Sequence, residues 1–228
     1  NESDVQLTLS QITQHDSPCY SGIRKSRLGK ALQTEFRAIE WPTLLLFVVS
    51  YALWAAGTTI LWQLSPTLAI LAAGLAIAQL SSLTHEVLHG HPFRSQFWSE
   101  ALVFPATSVF IPYLRFKDTH LQHHNDPALT DPYDDPASNF FDPAAWARLS
   151  APMQVLLRFN NTLFGRMLIG PFVGTGIFLA TDWRLALQGD RRVLLAWALH
   201  LPGLALVFGW LWAVGQMPVW AYLVAVYI

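Results

Sequence analysis

Six of the eight histidines in this chain fall in two short clusters whose spacing is typical of metal ligands. The first cluster begins with His85 and His89, and the second contains His120, His123 and His124. Residues three or four apart share a helix face, so the members of each cluster are expected to project together. Five convergent imidazoles exceed the four ligands of one zinc ion and favour more than one metal ion. Imidazole suits iron, copper and zinc alike, so these ligands do not identify the metal.

Other polar residues near these clusters are candidates for supporting roles. His91 follows His89 by two positions, which puts it on a different helix face unless Gly90 ends the helix. His200 stands alone in an apolar stretch, where an ionisable group is costly, and it is expected to be structural or to support a metal ligand. Carboxylates able to accept the free N–H of a ligating imidazole are Glu86, Asp126 and Asp131.

The composition is that of a membrane protein. Hydrophobic residues make up 53% of the chain and charged residues 13%, against about 25% charged residues in soluble domains. The net charge of -1 gives no electrostatic case for binding nucleic acid. The single Cys19 excludes an internal disulfide and a cysteine-based metal site. Residues 1–228 are expected to form one domain of a longer protein, because the sequence lacks an initiator Met and stops at Ile228 in an apolar run.

Two long stretches without Asp, Glu, Lys or Arg predict two membrane-spanning hairpins. The first, residues 41–84, is long enough for two spans of roughly 20 residues, and the second, residues 193–228, for one span and the start of another. Each is interrupted by a proline-containing turn. The turns lie at Gln63–Pro66 and Gly215–Pro218. The predicted spans cover about 41–62, 66–84, 193–214, and 217–228 and beyond.

The distribution of positive charge predicts the orientation of these hairpins. All fourteen Lys and Arg residues lie outside the two stretches, so the positive-inside rule puts both histidine clusters on the cytoplasmic side. Two further apolar segments, Ala101–Leu114 and Leu163–Thr181, are expected to be interfacial or re-entrant helices. The predicted fold class is an all-α membrane protein with two transmembrane hairpins, a cytoplasmic histidine-rich cap and interfacial helices.

The motifs His85-xxx-His89 and His120-xx-His123-His124, placed after a hairpin, resemble the first two histidine boxes of the membrane fatty acid desaturase superfamily. Hydroxylases, alkane monooxygenases and carotenoid ketolases are related members of that superfamily. The resemblance implies a site of two non-haem iron ions, with these five histidines among the ligands and O₂ as co-substrate. It also implies a lipid acyl substrate and an external electron donor, such as a ferredoxin, a rubredoxin or a cytochrome b5-like protein.

The resemblance favours a fatty acid desaturase, with a di-iron hydroxylase or a carotenoid ketolase as the alternative. Members of the superfamily carry a third His-xx-His-His box, which does not occur in these 228 residues. The predicted topology places that box beyond Ile228. The fragment is therefore expected to hold an incomplete site and to be inactive alone.

Two other functions fit parts of the pattern. His85-Glu86-Val-Leu-His89 satisfies the H-E-x-x-H motif of zinc metalloproteases, in which Glu86 would be the general base. That hypothesis leaves the second cluster unexplained and offers no acidic third ligand between Val193 and Ile228. A membrane haem or metal-binding electron carrier is the other alternative, although His200 is the only histidine deep in a predicted span.

Overall fold

A computed structural model describes residues 39–125 and 141–228 of the chain. Helices and their connections make up these two segments, and no β-strand occurs in them. In chain order the helices are α1 (Trp41–Thr58), α2 (Ile60–Leu64), α3 (Pro66–Leu88), α4 (Gln96–Leu102), α5 (Tyr113–Asn125), α6 (Pro143–Arg148), α7 (Ala151–Asn160), α8 (Leu163–Leu187), α9 (Arg191–Ala213) and α10 (Val219–Tyr227). The predicted all-α membrane architecture is therefore confirmed.

Helices α1 to α3 form the first predicted hairpin. The turn after α2 starts a new helix because Pro66 suits its first position and Ser65 Oγ accepts a hydrogen bond from the Leu68 N–H at 3.3 Å. The two long helices pack closely at Gly57, where an added Cβ would lie 3.1 Å from the backbone nitrogen of Ala73. Helix α3 continues past the predicted end at residue 84 to Leu88, so it carries the start of the first histidine cluster.

The segment Leu163–Thr181, expected to be an interfacial or re-entrant helix, belongs to α8, a continuous helix of 25 residues that is long and apolar enough to cross a membrane. Asp182, which follows this segment in α8, is buried and paired with Arg115, and Pro171 is accommodated within the helix. Ala101–Leu114 contains no such helix, since α4 ends at Leu102 and α5 begins at Tyr113.

Four helical segments are long and apolar enough to span a membrane in the described part of the chain: Trp41–Leu64, Pro66–Leu88, Leu163–Leu187 and Arg191–Ala213. The two predicted turns lie side by side at one end of the bundle. The Gln63 side-chain amide donates to Gln216 Oε1 at 2.6 Å, and the Gln216 N–H donates to the Thr58 carbonyl. Helix α10 then runs back along α3, where the Ala225 carbonyl would lie 3.0 Å from a Cβ added at Gly74.

The interior of the bundle contains polar groups that bind one another. Trp54 Nε1 donates to Tyr222 Oη at 3.1 Å, and Tyr222 Oη donates to the Thr107 carbonyl at 2.8 Å. Trp210 Nε1 donates to Thr58 Oγ1 at 3.0 Å. These bonds tie α1, α9, α10 and the connection between α4 and α5 together in a region where unpaired polar groups would be costly.

Candidate metal centre

The first histidine cluster lies at the C-terminal end of α3. His85 is in the last turn of the helix, and His89 is its C-cap residue. Gly90 then adopts a positive φ of 91°, a conformation that glycine takes without a steric penalty, and the chain leaves the helix axis there. His85 and His89 consequently stay on one face, with 4.7 Å between their ring centroids.

The second cluster lies on α5, which is oriented so that two of its histidines face the first cluster. His120 and His124 are one helical turn apart, and their ring centroids are separated by 4.5 Å. Their Nε2 atoms are 2.9 Å apart. His120 also lies 4.7 Å from His85 between ring centroids. Phe116 stacks on His120 from the preceding turn, with 5.3 Å between centroids.

Four of the five predicted ligands therefore meet at one point. Within the described residues they form the one set of His, Cys, Asp or Glu side chains close enough to hold a metal ion: His85, His89, His120 and His124, hereafter the four-histidine group. One nitrogen from each lies within 4.8 Å of the others. With metal–nitrogen bonds of about 2.0–2.1 Å, nitrogens on one ion are at most about 4.2 Å apart, so small rotations would close the site.

The remaining histidines lie outside the four-histidine group. The His123 ring centroid is 5.9 Å from that of His124 and 6.4 Å from that of His120, so His123 lies beside the group. His91 lies past the end of the helix, where its Nδ1 is 2.9 Å from Glu40 Oε1. The end of the helix at Gly90 thus turns His91 toward the start of α1 and not toward the cluster.

The environment of His120 favours the neutral form of its imidazole. Burial lowers the pKa of His120, and the neighbouring charges of His124, His85, His123 and His89 lower it further. Neutral imidazole is the form that binds a metal ion, because one ring nitrogen must offer a lone pair.

Carboxylates give the group little support in the described residues. Glu86 Oε1 is 3.5 Å from His85 Nδ1, which is the outer limit of a hydrogen bond, and the Glu86 side chain is 47% exposed. The other two candidate carboxylates, Asp126 and Asp131, lie outside the described residues.

A buried ion pair holds α5 against the bundle. The Arg115 guanidinium donates through both Nε and Nη2 to the Asp182 carboxylate, with a shortest distance of 2.9 Å. Trp197 Nε1 donates to the other carboxylate oxygen at 2.9 Å. Asp182 is 2% exposed, so this pair links α5, α8 and α9 in an interior environment. The sequence did not reveal it, because the two charges are 67 positions apart.

A second polar cluster attaches α5 to α4. Glu100 Oε1 accepts hydrogen bonds from Lys117 Nζ at 2.6 Å, Gln96 Nε2 at 3.1 Å and Tyr113 Oη at 3.2 Å. Burial by itself opposes ionisation, but these bonds and the Lys117 charge outweigh it and lower the pKa of Glu100. Gln96 Nε2 also donates to the Val87 carbonyl at the end of α3, so α4 joins the two helices that carry the histidines.

The model of the family described as "Fatty acid desaturase" matches residues 60–228, which is well over half of the chain. The chain belongs to the fatty acid desaturase family. A search of curated proteins and a search of solved structures gave no significant match. Enzymes of this family are generally di-iron oxidoreductases, and an all-imidazole group is a donor set that suits iron. The residues present therefore fit the metal that the family implies.

This desaturase-family chain has a cavity of about 630 Å³ beside the four-histidine group. Thr84 lines it and precedes His85 in α3, and Phe116, which stacks on His120, forms part of the same wall. From there the cavity extends between α3, the α4–α5 connection and α9, and most of its lining is apolar. Its volume falls in the usual range for a small-molecule site. This cavity was not predicted from the sequence, because its lining comes from separate parts of the chain.

Proposed function

We propose that this protein is a membrane-bound, O₂-dependent, non-haem di-iron fatty acid desaturase that introduces a double bond into a lipid acyl chain. One observation carries the proposal. Four imidazoles from two helices converge next to a mostly apolar cavity, whose lining includes Thr84, the residue before His85, and Phe116, which stacks on His120. A metal site beside an apolar cavity suits oxidation of a hydrocarbon chain, because the reacting carbon can approach the site without crossing water.

The chain's own residues would hold the metal and position the substrate. His85, His89, His120 and His124 would each offer one neutral ring nitrogen. When bound, iron supplies the activation of O₂ that protein side chains cannot provide. The stacked Phe116 and the apolar cavity walls would keep water away and hold the acyl chain in a fixed register beside the imidazoles.

The overall reaction needs an external reductant. O₂ takes two electrons and two protons from the acyl chain, which becomes an alkene. It takes two more electrons from a donor and two protons from solvent, and it leaves as two water molecules. A ferredoxin, a rubredoxin or a cytochrome b5-like protein would fill the donor role. We place the histidine end of the bundle on the cytoplasmic side, because the Lys and Arg residues lie outside the first hairpin and outside residues 193–228.

Two iron ions need more ligands than the four-histidine group supplies. His123, on the same helix and 5.9 Å from His124 between ring centroids, is the predicted fifth ligand. A rotation of its side chain would bring it toward the group, since residues three and four apart share a helix face.

The alternative functions account for less of the geometry. A hydroxylase or ketolase would use the same metal site and differ in the fate of the oxidised carbon. A zinc protease needs three protein ligands and an open position for water, whereas His120 and His124 would complete a closed zinc site with His85 and His89. A haem iron takes axial ligands on opposite faces of a planar ring, whereas these four nitrogens all lie within 4.8 Å of one another.

The metal content of detergent-purified protein tests the proposal. We expect about two iron ions per chain without a haem absorption band. His120→Ala should lose the iron, and His91→Ala is the matched control that keeps it, because His91 is paired with Glu40 outside the group. One zinc and no iron would overturn the proposal and favour the protease. Lipid analysis of expressing cells would then separate an alkene product from an alcohol or a ketone.

A further inference from the structure

The lining of the cavity includes polar residues that do not belong to the candidate metal site. His200, Thr107 and Ser108 all line the cavity, and we refer to these three residues as the polar patch. His200 is 6% exposed and lies within α9, a helix long and apolar enough to span the membrane. Buried polar groups normally have partners, so a partly unpaired group at a cavity wall points to a ligand.

The hydrogen bond of His200 fixes which of its nitrogens remains available. Its Nε2 is 2.7 Å from the Val109 carbonyl, and since a carbonyl only accepts, Nε2 carries the hydrogen. A second proton would put a charge into an apolar layer at high cost, so the ring is neutral. Its Nδ1 is therefore an acceptor, and it has no partner among the residues that the structure describes.

The loop that carries the rest of the patch is held rigidly. Val109 has a φ of 68°, an uncommon conformation for a β-branched residue, and its carbonyl is held by His200. Tyr222 Oη donates to the Thr107 carbonyl. An added Cβ at Gly203 would lie 2.4 Å from the Phe104 carbonyl oxygen, so α9 and the loop are in direct contact. A rigid polar wall is suited to recognition, because little order has to be gained when a ligand binds.

The polar patch is separate from the four-histidine group. His200, Thr107 and Ser108 line the cavity, whereas none of those four histidines does. A group bound at the patch would therefore sit on a part of the chain other than the reacting carbon.

We propose that the substrate carries a hydroxyl group that donates a hydrogen bond to His200 Nδ1, so that the enzyme acts on hydroxylated lipid chains in preference to plain ones. A hydroxyl fits because an acceptor nitrogen needs a donor, which an ester or ketone oxygen lacks. Thr107 and Ser108 hydroxyls can accept from or donate to the same group. The proposal rests on the proposed function, since it assumes that the cavity holds the substrate chain.

Binding of a positional series tests this specificity. Octadecanoic acid and its hydroxylated isomers, with the hydroxyl moved along the chain, would each displace a fluorescent lipid from the purified full chain. We expect at least one isomer to bind up to about tenfold more tightly than octadecanoic acid, as one net hydrogen bond allows. His200→Phe should remove this preference while plain-chain binding remains.

Control variants separate recognition from folding. Tyr51→Phe should keep the preference, because the Tyr51 hydroxyl lines the cavity but already donates to the Leu102 carbonyl. If His200→Phe fails to fold, Thr107→Val with Ser108→Ala leaves the His200–Val109 bond in place and should reduce the preference. Equal binding of every isomer by the native protein, or a preference that both patch variants retain, would overturn the inference. Iron content is measured separately, so protein that binds hydroxylated chains but holds no iron would instead refute the proposed function.

Discussion

Polar side chains have opposite surroundings in the four-histidine group and in the interior of the bundle. In the four-histidine group the imidazoles face one another, and two of the four residues, His89 and His124, are exposed. In the interior, protein groups bind one another: Trp54 donates to Tyr222, Tyr222 to the Thr107 carbonyl, and Trp210 to Thr58. The first arrangement leaves lone pairs for a ligand, whereas the second uses polar groups to fix helix positions.

This difference distinguishes the residues that would bind a metal ion from the residues that hold the helices in place. Like imidazoles brought together with only a weak carboxylate contact gain little stability from one another, so their convergence makes sense as preparation for a metal ion. The interior groups of Trp54, Tyr222 and Thr58 have partners and hold helices together. We therefore expect variants at the histidine end to change metal content with little effect on unfolding, and interior variants to do the reverse.

The largest effect is expected for loss of a ligand. His89→Ala should reduce bound iron from about two per chain to less than one, because a vacant position on the metal lowers affinity steeply. The unfolding midpoint of metal-free protein in detergent should stay within a few degrees of the native value. Elemental analysis and a thermal melt measure the two quantities. Full iron content in this variant would contradict the assignment of His89 as a ligand. It would also contradict the proposed difference between the four-histidine group and the interior.

The buried ion pair should give the largest loss of stability. Asp182→Ala leaves the Arg115 guanidinium, 11% exposed, without its carboxylate and Trp197 Nε1 without an acceptor. Removing one partner of a buried pair typically costs about 3–5 kcal/mol. Denaturant unfolding in detergent measures this cost. A loss below about 1 kcal/mol would show that solvent or lipid headgroups reach the pair.

An intermediate effect is expected for Tyr222→Phe. The variant removes the acceptor of Trp54 Nε1 and the donor to the Thr107 carbonyl, and each unpaired buried group costs about 1–3 kcal/mol. Iron content should be unchanged, because the residue lies in the interior and not in the four-histidine group. Loss of iron with unchanged stability would show that the interior positions the metal site more directly than the comparison implies.

The smallest effect is expected for Lys117→Met, the half-exposed counterpart of the buried pair. Lys117 and Glu100 are 29% and 28% exposed, so removal of the cation should cost at most about 1 kcal/mol. The pKa of Glu100 is lowered in the folded protein, so its contribution is present at neutral pH and is lost as pH falls through that lowered pKa. Unfolding of the native protein and the variant should therefore converge at acid pH. A difference that grows at acid pH would have the wrong sign.

Much of the fold follows from local patterns. Uncharged stretches broken by proline predicted the first hairpin and the apolar helix after Asp190, since hydropathy and helix-breaking residues act within one segment. The pattern did not predict the full length of α8, nor the pair that Asp182 forms with Arg115 on another helix. A sequence pattern does not show which distant charges pair.

The candidate site was likewise predicted in part from the sequence, and the rest required the tertiary structure. Spacing alone nominated His85, His89, His120 and His124, because the helical repeat of 3.6 residues fixes which side chains share a face. Only the tertiary structure decided that His91 turns to Glu40, that His123 lies beside the group, and that a cavity opens next to it. These outcomes depend on where two helices pack against each other and on where the chain leaves a helix. Such contacts join residues far apart in sequence, whereas the helix face is set by the backbone within a few residues.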